Sequence, residues 1–325
     1  MSQGIARHAI VSFLFVLFAM YTAPSVAADQ ATESGMRLDS GFVTVNGAKL
    51  WYEFEGEGEP LVFLPGGPAI SHGYLQMFFS DLADSYKLVY YDPFGVGKSD
   101  RAKQQEEYTF DRAVEDLELL RQKLKLERIS VLGHSYGGLV AQAYALKYPE
   151  SVNKLVLANT LFNAEAWQAL NENVKKEIEN HFPEAWEQIQ SLRAEGKVCS
   201  SPEHQVVFFM IPPSLIYFFN GSRMMELGPP DINPDMYFAM VGEDGDFEIG
   251  GSIAGLDFKD QLKDLKPPTL VLAGRYDRVC FPKYSVQFKK YAPQAQFVMF
   301  EQSGHFPFIE EPELVMDTLR KFLSQ

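Results

Sequence analysis

Apolar and polar positions along the chain alternate between short apolar runs and longer amphipathic stretches. In "FVTVNGAKLWYEFE" the two alternate on either side of Asn46-Gly47. That dipeptide suits the positive-φ positions of a tight turn, so the stretch predicts a β-hairpin. "PLVFLPGG" (60–67), "YKLVYYD" (86–92), "RISVLG" (128–133), "KLVLAN" (154–159), "TLVLAG" (269–274) and "QFVMFE" (296–301) are short and almost wholly apolar. Such runs predict strands buried on both faces. Helices are expected between them, over 74–84, 109–126, 137–149, near 282–291 and over 312–323. In the second of these Ala113, Leu117, Leu120 and Leu124 share one face and Thr109 can cap the start. Strands alternating with helices predict an α/β fold with a mostly parallel sheet covered on both sides.

The interval from about 160 to 258 breaks that rhythm. It holds helical patterns over 165–195, a very apolar run "VVFFMIPPSLIYFF" (206–219) and the Gly/Asp/Glu-rich "VGEDGDFEIGG" (241–251). The two prolines prevent one continuous helix. Residues 161–257 are therefore expected to form a mainly helical cap inserted into a core made of 29–160 and 258–325. The apolar run is expected to pack the cap and to lend some side chains to a pocket.

Composition narrows the class. At 325 residues and 46% hydrophobic content the chain can bury a large core. A net charge of −14 with no basic run excludes a nucleic-acid binder. At the N-terminus Arg7 and His8 precede the apolar "AIVSFLFVLFAM", and small residues follow in "APSVAADQ". This is the pattern of a secretory signal peptide over 1–28, with cleavage after Ala27 or Ala28. The apolar run is shorter than the about 20 residues a bilayer span needs. The mature protein is expected to be secreted or periplasmic without a stable membrane anchor; an uncleaved anchor is the alternative. Cys199 and Cys280, the two cysteines, form no framework and suggest no metal site; free buried thiols are the default and a disulfide the alternative.

The chemistry starts at "VLGHSYGGLV" (131–140), where Gly133-x-Ser135-x-Gly137 follows an apolar strand and opens a helix. A sharp turn there would push the Ser135 hydroxyl out at the carboxyl edge of the sheet, and side chains at 133 and 137 would collide. A serine nucleophile needs a base, and the base an orienting acid. In chain order Ser, acid, His, the candidates are Asp277, just past "TLVLAG", and His305, just past "QFVMFE". His72 competes as base; His8, His134, His181 and His204 lie in the leader, the turn or the cap, and Asp257 and Asp260 are fallback acids. An oxyanion needs two N–H donors. Tyr136 supplies one; Gly67 in "LPGGPA" (64–69), with Gly66 as alternative, supplies the other. Asp277 lies between Arg275 and Arg278 in "GRYDRV" (274–279), and adjacent positive charge is expected to keep it ionised.

These residues resemble the α/β-hydrolase fold and, more narrowly, the proline iminopeptidase family of serine aminopeptidases. "LPGGPAISHGYL", "YYDPFGVGKSD", "LGHSYGGLVAQAYALKYP", "GRYDRVCFP" and "SGHFPFIEEPELV" match in order over nearly all of the chain after residue 40. Three positions depart. Pro65 stands where the oxyanion loop usually begins with His. Phe94 stands where Arg is usual, so an ion pair is expected to be lost. In the family, acidic residues bind the free α-amine of the substrate. Asp246 falls at one such place, but Arg278 occupies the other, where it would repel an ammonium group and suit a carboxylate or acyl oxygen. Asp246 and Arg278 are then candidate substrate-binding residues, and the two could pair with each other.

The resemblance implies a serine hydrolase acting on a small molecule or short peptide through an acyl-enzyme, with no metal or cofactor. The leading expectation is an aminopeptidase for small or proline-like N-terminal residues. A carboxylesterase on an apolar substrate is the alternative, and a non-catalytic binding protein on the same fold the remote one.

Overall fold

The computed structural model describes residues 39–211, 214–227 and 231–325. The leader expected over 1–28 lies outside the described residues. Among the described residues no helix is long and apolar enough to cross a membrane.

The hairpin is formed as its sequence predicts. β1 (Asp39–Val45) and β2 (Ala48–Glu55) pair with Val45 opposite Ala48, and Asn46 and Gly47 take φ of 47° and 78°. The apolar runs become β3 (Glu59–Leu64), β4 (Tyr86–Tyr91), β5 (Ile129–His134), β6 (Val152–Ala158), β7 (Thr269–Gly274) and β8 (Gln296–Phe300). One sheet results, in the order β1-β2-β4-β3-β5-β6-β7-β8. β1 and β2 are antiparallel to their neighbours and the remaining pairs are parallel. Leu88, Leu132, Val156 and Leu270 pack on one face, and Val62, Val89, Val131 and Leu155 on the other, each at most 1% exposed. This explains why the central strands carry no polar alternation.

The helices that cover the sheet follow from the same pattern. α1 (Gly73–Phe79) continues as a 3-10 turn over Ser80–Asp84. α2 (Phe110–Lys123) is capped by Thr109, whose hydroxyl accepts from Arg112 N at 3.2 Å, and buries Leu117 and Leu120. α3 (Tyr136–Lys147) is mostly buried.

Between β6 and β7 the chain forms α4 (Ala164–His181), α5 (Pro183–Ala194), α6 (Pro202–Phe209), α7 (Ser214–Tyr217) and α8 (Pro234–Val241), with a 3-10 segment over Gly221–Leu227 between the last two and short ones at Gly251–Ile253 and Leu262–Asp264 before β7. A bridge between Asn163 and Asp257 ties the two ends of this helical insertion. The apolar run is split between α6 and α7; Pro212 and Pro213 lie outside the described residues. The expected helix near 282–291 is two short ones, α9 (Pro282–Ser285) and α10 (Phe288–Tyr291). Val286 and Gln287 between them have ψ of −19°, tighter than an α-helical turn. α11 (Pro307–Glu310) and α12 (Pro312–Leu323) close the fold.

Candidate active site

The carboxyl ends of β3, β5, β6, β7 and β8 converge on one edge. Leu64 stands opposite Gly133, His134 opposite Ala158, and Gly274 opposite Phe300. Ser135 follows β5 directly. It has φ 54° and ψ −121°, a strained conformation for a residue with a side chain. A Cβ at Gly133 would overlap the Gly137 carbonyl, and one at Gly137 the carbonyls of Leu64 and Pro65. The glycines are thus what lets strand, turn and helix meet so closely. The hydroxyl of Thr160 donates to the Ser135 carbonyl at 2.7 Å and holds the turn from behind.

Asp277 and His305 are brought together as the chain order predicts. Asp277 Oδ2 accepts from His305 Nδ1 at 2.9 Å, and both residues are buried. Asp277 is held by three further donors. Asn159 Nδ2 reaches Oδ2 at 2.9 Å, and the backbone N–H groups of Val279 and Cys280 each reach Oδ1 at 2.8 Å. Burial acts to raise the carboxyl, but His305, Asn159 and the Cys280 N–H outweigh it and leave Asp277 below its ordinary value. The flanking arginines are not the cause. Arg275 forms a two-pronged pair with Glu301 at 2.8 and 2.7 Å, and Arg278 Nη1 lies 3.9 Å from Glu177 on α4. Neighbours at a turn point in different directions, and here hydrogen bonds from His305 and Asn159, far off in sequence, together with the Cys280 N–H, set the charge.

His305 Nδ1 donates to the Asp277 carboxylate, so in the neutral ring Nε2 is left as the acceptor a general base requires. Its backbone N–H donates to Tyr217 O at 2.7 Å, and the neighbouring Gly304 N–H to Glu310 Oε2 at 2.6 Å. Asn159, which also donates to Gly304 O at 3.1 Å, escaped the sequence reading. Its one signal was its place at the end of "KLVLAN".

The candidate oxyanion donors divide clearly. Gly66 N–H is already donated to the Tyr74 hydroxyl at 2.7 Å, which disfavours the alternative. Gly67 has φ 119°, and a Cβ there would come within 2.8 Å of Ala69 N. Glycine is required there. Tyr136 is the first residue of α3, where a helix leaves its N–H groups unbonded. Cap residues strap this loop: Asn233 N donates to Ala69 O at 3.1 Å and Ser71 N to Asp231 O at 3.3 Å.

His72 is not a base. It bonds Asp92 at 2.7 Å, lies 3.8 Å from Glu53, and is buried. Burial works against its charge, but Asp92 and Glu53 prevail and raise it to about 9. The folded value exceeds the unfolded one. Its stabilisation is therefore complete below pH about 6.5 and is lost as pH rises through about 9. Thermal melts between pH 6 and 10 should show that loss, and His72→Gln should flatten it; an unchanged slope would assign it elsewhere.

Asp246 and Arg278 do not pair with each other. Asp246 Oδ1 accepts from Tyr237 Oη at 2.6 Å, and burial pushes its carboxyl up. Its charge is felt by Tyr217, whose phenol is raised to about 12, by burial first and then by Asp246, Cys280 and Asp277. The Tyr217 ring lies 5.6 Å from that of His305. At Phe94 the structure shows a cation–π contact, the Arg112 guanidinium lying 3.5 Å from the ring centre. A cavity of about 30 Å³ beside the oxyanion loop is lined by Gly66, Phe94, Tyr136, Met236 and Met240, among others.

Cys199 and Cys280 are both free and buried. Asp277, Cys280 and His305 bring one ligand atom each within 4.8 Å of one another. The set does not suit a metal. Its carboxylate and imidazole are bonded to each other, and burial keeps the Cys280 thiol protonated.

Residues 59–209 and 224–312 match the family model described as alpha/beta hydrolase fold. The chain belongs to that family, and it is a serine hydrolase. It is 29% identical over 288 residues to the proline iminopeptidase of Heyndrickxia coagulans, covering 87% of this chain and 98% of that one. It is 30% identical over 295 residues to the AB hydrolase superfamily protein YclE of Bacillus subtilis, covering 88% and 99%. The crystal structure of proline iminopeptidase from Mycobacterium smegmatis superposes with a TM-score of 0.70 at 22% identity, over 88% and 98% of the chains. Among α/β-hydrolases the chain is thus similar, at moderate identity, to the proline iminopeptidases.

Proposed function

We propose that this protein is an exported aminopeptidase of proline iminopeptidase type that works through an acyl-enzyme. Ser135 attacks the carbonyl carbon and His305 Nε2 takes its proton. Gly67 and Tyr136 N–H groups hold the oxyanion. His305 returns the proton to the leaving amine, and water then releases the acyl group by the same route. The Asp277–His305 pair, buried and supplied with four donors to the carboxylate, is the observation that carries the reading. The similarity to proline iminopeptidases adds the substrate class. Asp246 is the candidate partner for a free α-amine, since its field already reaches Tyr217 beside His305. Export rests on the leader pattern alone; N-terminal sequencing of secreted or periplasmic protein should begin at Ala28 or Asp29, and an intact Met1 would refute cleavage.

Arg278 beside the triad acid favours the second reading, a carboxylesterase. Rates on a proline anilide and on short acyl esters separate the two. The aminopeptidase reading expects anilide turnover that is lost on blocking the amine, and a KM raised roughly tenfold or more in Asp246→Asn. Ester turnover alone, indifferent to a free amine, would sink it. Arg278→Glu should then gain anilide activity if the arginine sets that choice.

A further inference from the structure

One chain of hydrogen bonds joins the oxyanion loop, the nucleophile turn and the loop of the base. Gly66 N lies 2.7 Å from Tyr74 Oη, Tyr74 Oη 2.8 Å from His134 Nδ1, and His134 Nε2 3.0 Å from the carbonyl oxygen of His305. The direction of each bond follows from its far end. A carbonyl oxygen only accepts, so His134 Nε2 bears a proton. His134 is neutral, because burial and then the adjacent His305 push it down to about 3. Nδ1 is then a bare acceptor. Tyr74 must donate its proton to it, and the phenol oxygen accepts from Gly66 N–H. With a neutral His134 ring, no alternative order satisfies all three bonds.

The chain touches the site at three consecutive places. Gly66 precedes Gly67, His134 precedes Ser135, and the terminal carbonyl belongs to His305 itself. The His134 ring is packed 4.8 Å from that of His305 and 5.2 Å from those of Phe306 and Phe308. A Cβ at Gly66 would stand 3.1 to 3.2 Å from Ser135 Cβ, His134 Nδ1 and Tyr74 Oη, so the loop rests directly on these groups. Two glycines have no side chains to fix the Gly67 N–H in space. A fixed acceptor for the preceding N–H supplies what they lack.

We infer that Tyr74 and His134 are positioning residues that hold the oxyanion loop, Ser135 and His305 in register, an inference that rests on the hydrolase roles of Ser135 and His305. Tyr74→Phe cuts the chain at one point and His134→Leu at another. Each should lower kcat and the fluorophosphonate labelling rate roughly ten- to a hundredfold with KM within about twofold. Their effects on log kcat should not add, because a chain once cut loses nothing at the second cut. His134→Gln, whose amide offers one donor and one acceptor, should recover part of the loss. Additive losses, or KM and kcat falling together with melting temperature, would overturn the inference. The wild-type protein gives a check that needs no variant and no turnover. Nitrogen-15 NMR should find His134 neutral and protonated at Nε2 from pH 5 to 8; the Nδ1–H tautomer or an imidazolium would overturn the bond order.

Discussion

Asp277→Asn should lower kcat by about 10⁴-fold and change KM only a few-fold. The reason lies in the four donors around the carboxylate. Two backbone N–H groups, from Val279 and Cys280, face Oδ1 and cannot turn away. An asparagine amide has one oxygen, and these two donors will claim it. Its NH₂ group then faces His305 Nδ1 and Asn159 Nδ2, which are both donors to Oδ2 in the native protein. His305 can relieve the clash only by moving its proton to Nε2, the atom that must be free to accept from Ser135. Asn159 could flip its amide, but would give up its bond to Gly304 O. The variant should fold, with reduced stability from the donors left facing one another. Steady-state kinetics with a melting curve check it; turnover near wild type would remove Asp277 from the mechanism.

Much of this was legible in the chain. The strands announced themselves because both their faces are buried, and α12 because its buried face, with Val315, Leu319 and Phe322, is bounded by Pro312. Ser135, Asp277 and His305 stood out as candidates because each follows a strand, Ser135 directly and the other two within a short loop, and strand ends share one edge of the sheet. What could not be read was orientation and long-range partnership. Arg275 and Arg278 flank the candidate acid Asp277 in sequence, yet they pair with Glu301 and with Glu177 on α4. The residue that does support the acid, Asn159, lies 118 positions away. Asp246 shows the orientation half of the problem: Tyr237, nine positions away within the cap, takes its carboxylate rather than Arg278. The occupied N–H of Gly66 needed Tyr74 to be seen beside it. Sequence order locates a site on a sheet, whereas hydrogen bonds across loops decide which groups in it are charged or free.

Ser135→Ala should reduce turnover by roughly 10⁴- to 10⁶-fold and abolish labelling by a fluorophosphonate. The residual rate comes from the oxyanion donors and substrate binding, which the substitution leaves in place. Ser135→Gly makes a sharper experiment. At φ 54° and ψ −121° the backbone occupies the region of the first central residue of a II′ turn, which glycine enters freely and other residues at a cost of about 1–3 kcal/mol. The turn is over-determined by its neighbours: Ser135 N donates to Ala158 O at 3.0 Å, and Thr160 holds the Ser135 carbonyl. Alanine therefore inherits the strain and glycine sheds it, less about 0.5–1 kcal/mol for the greater freedom of unfolded glycine. The glycine variant should melt a few degrees above the alanine variant while both are inactive. That order would show that the fold carries a conformational cost to present a hydroxyl at this point. Equal melting temperatures would limit the strain to no more than the about 0.5–1 kcal/mol that unfolded glycine costs, and labelling of Ser135→Ala at the wild-type rate would place the nucleophile elsewhere.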